Sequence, residues 1–186
     1  MRGDVYLRKF VVVLLSSIVI LIVVLAVVRR EPKVKEPVAP LVAGLRSQVT
    51  SEDLRQNIDE TDAALENMIG EGTDYFTVEP YATASWDEFI DDPLFSEDRL
   101  DRLDGHVDVY GYHEDIGRFR QLIAIAKRER DVTALVYAYR IISDLNDWLF
   151  NPDDKKRKYW EATESLQWHA SQTTITKIKN YIDDHG

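Results

Sequence analysis

Residues 10–28 read FVVVLLSSIVILIVVLAVV, nineteen consecutive positions without a charge. A helix of that length reaches about 28 Å at roughly 1.5 Å per residue, close to the hydrocarbon thickness of a bilayer. Val and Ile are weak helix formers in water, but in lipid only a helix satisfies every backbone N–H and C=O of a lone segment. The run therefore predicts one membrane-spanning helix. Ser16 and Ser17, its only polar members, can bond back to the preceding turn. The run exceeds a signal-peptide core and ends in Val27, Val28, Arg29 and Arg30 without a small-residue cleavage pattern, which favours an uncleaved signal-anchor.

The anchor divides the chain into a basic leader over 1–9, the transmembrane helix over 10–28, a proline-containing stalk over 29–49 and an acidic helical domain over 50–186. Flanking charge, Arg2, Arg8 and Lys9 against Arg29, Arg30, Lys33 and Lys35, leans by one residue toward a cytoplasmic domain. Against that lean, a lone N-terminal anchor with a short basic leader is expected to keep its N-terminus inside. The expectation is a single-pass protein of the cell membrane with its C-terminal domain extracytoplasmic. The stalk carries EPKVKEPVAP, whose three prolines remove amide donors and favour a semi-extended backbone that lifts the domain off the headgroups.

Charge is unevenly distributed. Residues 1–35 hold seven Lys or Arg against two acids, and residues 36–186 hold sixteen against thirty-one, so a chain of net charge −10 contains a domain near −15. Such a surface repels anionic lipid heads and nucleic-acid phosphates alike, which disfavours a general nucleic-acid role and fits cationic partners or simple solubility better; the expected contacts are the membrane, through the spanning helix, and a protein partner. The absence of cysteine excludes a disulfide framework, a thiolate zinc site and a cysteine nucleophile.

Within the domain, helical spacing dominates. TSEDLRQNIDETDAALENMI predicts a helix over 51–69 with Leu54, Ile58, Leu65 and Met68 or Ile69 on one face and Glu52, Asp53, Asp59, Glu60, Asp62 and Glu66 solvated on the other. Tyr75 to Val78 is a candidate short strand. Ser85 and Glu88 have the form of a capping box opening a short helix with Trp86, Phe89 and Ile90 together, stopped by Pro93. Ser96 opens another with Leu100 and Leu103 inward. HVDVYGY, residues 106–112, alternates and fits strand or loop. A helical hairpin over 114–150 is the expected core. Ile116, Phe119, Leu122 or Ile123 and Ala126 face inward on its first arm, with Arg118, Arg120, Lys127, Arg128 and Arg130 mostly elsewhere. Leu135, Ala138 or Tyr139, Ile142, Leu145 and Leu149 face inward on the second, and Asp131 caps the junction. Asn151-Pro152 breaks the chain. KKRKYWEATESLQW then predicts a further helix with Tyr159 or Trp160, Thr163 and Leu166 inward and pairs such as Asp154 with Lys158 on its surface. A last helix follows from Ser171 or Thr173 with Ile175, Ile178 and Ile182 inward, fraying over 183–186. The fold class is mostly α: a single transmembrane helix and a small all-α, bundle-like domain with room for one short β-hairpin.

Chemistry-bearing motifs are sparse. There is no G-x-S-x-G elbow, phosphate loop, dinucleotide fingerprint, HExxH or EF-hand spacing, and no cofactor is implied. The densest set of potential ligands is Asp101, Asp104, His106, Asp108, His113, Glu114 and Asp115, of which His106, His113, Asp104 and Asp108 form a candidate metal site for a metal-dependent enzyme or sensor. Its structural alternative is a polar loop ending at Gly105, with Glu114 and Asp115 favouring the next helix start. Trp148, Tyr159, Trp160 and Trp168 supply either core area or a binding surface for a peptide or carbohydrate. The main expectation is a noncatalytic protein- or ligand-binding module held near the membrane.

Overall fold

The computed structural model describes residues 51–69, 83–105, 107–151, 158–166 and 173–186. The expected spanning helix, the stalk, the strand at Tyr75 to Val78, His106 and Trp168 lie outside the described residues. Among the described residues, no helix is long and apolar enough to cross a membrane.

Those residues are mostly α-helical, with no strand among them. They comprise α1 (Glu52–Ile69), α2 (Thr83–Asp91), a 3₁₀ turn (Pro93–Phe95), α3 (Glu97–Leu103), α4 (Tyr112–Glu129), α5 (Val132–Asp144), a π-helical turn continuing it (Leu145–Phe150), and α6 (Thr173–His185). The α4–α5 hairpin forms the centre, with α1 against α5 and the π turn, and α6 against α4. Its junction is two residues long. Arg130 closes α4 in the left-handed region (φ 54°, ψ 44°), and the Asp131 carboxylate accepts the Thr133 amide at 2.6 Å as the N-cap of α5.

The helical spacing of the sequence maps closely onto the core. Leu54, Ile58, Leu65 and Ile69 of α1 are buried, as are Ile116, Phe119, Leu122, Ile123 and Ala126 of α4 and Leu135, Ala138, Ile142, Leu145 and Leu149 of the second arm. Ile175, Ile178 and Ile182 of α6 are buried too. Helix α6 stays regular to His185, where fraying was expected, because the His185 ring stacks on Tyr181 at 4.2 Å and Arg128 donates to the His185 carbonyl. Alternation over 107–109 does place Val107 and Val109 inside with Asp108 exposed, but the backbone turns back on itself, Val107 N–H reaching the Gly105 carbonyl at 2.8 Å, and pairs with no strand.

Four expectations are corrected. Helix α2 begins at Thr83, so Ser85 lies inside its first turn and not at its start. Asp62 belongs to the buried side of α1 and accepts the Asn146 amide at 2.8 Å. Arg118 is buried with Asp115 and Glu164. The fourth concerns residues 158–163, which were expected to be helical and carry no regular structure; Glu161 stands at φ 58°. Two buried carboxylates take the amide hydrogens that a helix would have used.

Candidate functional site

Asp144 on α5 and Asp115 on α4 are both fully inaccessible to solvent. The Asp144 carboxylate accepts the amides of Trp160 and Ala162, each at 2.8 Å. Asp115 accepts those of Glu164 at 2.7 Å and Ser165 at 3.0 Å, and pairs with Arg118, which also reaches Glu164 Oε1 at 2.7 Å. Lys179 of α6 meets the same Glu164 oxygen at 2.7 Å. Segment 158–166 is therefore clamped to the hairpin by its backbone, and unpaired backbone donors in such a place would be costly. Burial pushes the Asp115 carboxyl up to about 6, opposed by Arg118 and by the bonds from Ser165 and Glu164. Burial likewise holds Asp144 well above the usual carboxylate range, despite its two amide bonds, with Asp115 and Asp147 adding like-charge repulsion.

The clamp passes under Gly111. At φ 81° this residue occupies the left-handed region, and a Cβ there would stand 2.9 Å from Glu164 Cβ and the Ser165 nitrogen. Glycine is required on both counts.

What the clamp presents is an aromatic and cationic stripe. Trp160, half-buried, packs edge-on against Tyr139 at 6.1 Å; Lys158 Nζ lies 3.9 Å from its ring centroid and the Arg140 guanidinium 5.0 Å. Arg140 also lies 5.8 Å from the Tyr137 ring, Tyr137 meets Tyr181 edge-on at 5.3 Å, and Tyr181 stacks on His185. Lys158, Trp160, Arg140, Tyr137, Tyr181 and His185 thus form a continuous series of ring and cation contacts over α5, segment 158–166 and α6. All are half-buried or exposed. Such contacts contribute about 0.5–1 kcal/mol each at exposed sites, so they stiffen side chains while leaving ring area open.

Of the surface expected from sequence, Trp148 and Tyr159 pack edge-on at 5.9 Å, with Tyr159 buried in the core. Trp160 stands apart from them on the stripe. Arg140, Tyr181 and His185 were missed, and Tyr137 was grouped only with the aromatics that supply core area. The (i, i+3) spacing of Tyr137 and Arg140 on a helix whose other faces are apolar was their available signal.

The expected metal residues fall differently. His113 Nδ1 lies 2.7 Å from Asp104 Oδ1, both well exposed, and Asp108 is exposed. Of the surrounding acids, Asp101 pairs with Arg120 at 2.5 Å and Asp115 is committed to the clamp.

A second polar seam joins α1 to the π turn. Asn146 donates to Asp62 at 2.8 Å and to Asp59 at 3.2 Å, Asn151 donates to Asn146 Oδ1 at 2.8 Å, and Arg55 donates to the Phe150 carbonyl at 2.6 Å. Both Asn146 and Asp147 of the π turn lie in the interior. Against this background of chemistry and packing, no protein-family model, no curated protein and no solved structure matches the chain.

Proposed function

We propose that the chain is a single-pass membrane protein whose acidic helical domain is a noncatalytic module that binds a protein partner beside an extracytoplasmic membrane surface. The observation that carries the reading is the stripe from Lys158 to His185, in which Trp160, Arg140, Tyr137 and Tyr181 are half-buried and braced by one another. Trp, Tyr and Arg are the residue types that dominate binding energy at protein interfaces, and braced rings lose little entropy when a partner covers them. An anchor confines the domain to two dimensions and raises its local concentration near other membrane-held chains. The partner's complementary surface would offer apolar area to Trp160, Tyr137 and Tyr181.

The test is a photoreactive benzoylphenylalanine placed at Trp160 of the full chain in intact cells, with a second placed at the exposed Glu114 of α4. A discrete adduct from position 160, absent from position 114 and lost on Arg140→Ala, is the expected result. Equal labelling at both positions, or none at either, would overturn the reading. Protease added to intact cells tests sidedness: an extracytoplasmic domain is cut, and a cytoplasmic one survives until lysis.

A further inference from the structure

We propose that Glu129, Asp131 and His185 form a binding site for a divalent first-row transition-metal ion of the zinc class. One ligand atom from each of the three lies within 4.8 Å of the others. They come from separate places in the chain, the last residue of α4, the cap of α5 and the last residue of α6, so the site closes only when the C-terminal helix is docked. Side-chain rotations of about 1 Å would bring such atoms to the roughly 2.0–2.2 Å bonds that zinc makes with imidazole and carboxylate.

The histidine is prepared for the role. His185 Nδ1 lies 2.8 Å from the Tyr181 carbonyl, and a carbonyl oxygen can only accept, so Nδ1 carries the hydrogen and Nε2 keeps the lone pair. Ligating histidines are held in this way, their other nitrogen donating to a carbonyl or carboxylate. Asp131 is also fixed, receiving the Tyr181 hydroxyl on Oδ2 at 2.7 Å and the Thr133 amide on Oδ1.

The surroundings favour positive charge. The carbonyl ends of α4 and α6 meet here, each carrying a partial negative charge. Arg128 already responds to that field, donating to Glu129 Oε1 and to the His185 carbonyl. One imidazole and two carboxylates suit zinc, cobalt, manganese or iron better than magnesium or calcium, which take oxygen alone. Three protein ligands leave a coordination position for water. The inference does not rest on a partner at the stripe, although His185 and Tyr181 belong to both.

The full chain, purified in mild detergent and stripped with chelator, is titrated with Zn²⁺ while its thermal midpoint is followed, and with Co²⁺ while its visible absorption is followed. Zn²⁺ is expected to raise the midpoint and Co²⁺ to give ligand-field bands, with excess Mg²⁺ or Ca²⁺ not competing. His185→Ala and Glu129→Gln should each weaken both responses by more than about tenfold, and His113→Ala should leave them intact. Glu129 is exposed, so its variant folds even if the other does not. The absence of both responses at millimolar ion, their survival in Glu129→Gln, or their loss in His113→Ala would overturn the site.

Discussion

The backbone amide of Trp160 is bound by Asp144: a carboxylate without solvent access on α5 accepts it at 2.8 Å and takes the Ala162 amide at the same distance. Asp144→Ala would leave two buried N–H groups without an acceptor, a loss of roughly 2–5 kcal/mol even after relief of a buried charge. Asn keeps one acceptor oxygen and should cost less. Chemical denaturation of the full chain gives the stability change. Tryptic cleavage after Lys158 should accelerate in the same order, Asn then Ala. An Asp144→Ala variant with the parent's denaturation midpoint would mean that the clamp contributes nothing to the fold.

Two glycines of the same region predict opposite signs. Gly111→Ala meets both the left-handed φ and the Glu164–Ser165 backbone at 2.9 Å, and should destabilise by about 1–3 kcal/mol. Gly117 lies in the middle of α4 on its exposed side with open space where a Cβ would stand. Alanine there removes unfolded-state freedom and should stabilise by about 0.5–1 kcal/mol. Thermal midpoints of the two variants, compared with the parent, check both signs in one experiment.

How far the sequence reveals this arrangement depends on whether a feature is local. The hairpin was legible because its apolar spacing is helical and Asp131 is a recognisable cap. The clamp was not, because residues 158–166 have good local helix formers and are overruled by acceptors sixteen to fifty positions earlier in the chain. A signal for those acceptors did exist. Asp115, Phe119 and Leu122 follow (i, i+4, i+7) spacing, as do Ile58, Asp62 and Leu65, so each Asp sits in register with an apolar face. Asp144 follows Ile141 and Ile142 and precedes Leu145, so it too is flanked by core positions. Asp62 is masked by its place among the acids of a helix's expected solvated face, Asp115 by its place at a helix start, and Asp144 by the lack of any motif around it. The stripe was half legible: the concentration of aromatics is plain, but their division into a core pair, Trp148 with Tyr159, and an outer series through Trp160 follows from the nonhelical backbone of the clamped segment.

Because the clamp is built on buried acids, the stability of the domain should depend on pH in an uncommon direction. Asp115 is raised by burial to about 6, above its unfolded value near 3.8, so the folded chain binds more protons than the unfolded one between these values. Stability from this group is fully present below about pH 4 and is lost as pH rises through 6; Asp144, raised by burial, acts in the same sense. The opposing groups are Glu60, Asp131 and Glu164, whose lowered values give stability that is lost only as pH falls below the ordinary carboxylate range. The thermal midpoint of the full chain in detergent should therefore be higher at pH 5 than at pH 7, and fall again below pH 4. Asp144→Asn removes one titrating group without leaving a cation unpaired, so it should lower the midpoint at both values and reduce the difference between them. A midpoint that climbs steadily from pH 5 to pH 7 would show that Arg118 and the four amide bonds, not burial, decide the ionisation of the two aspartates.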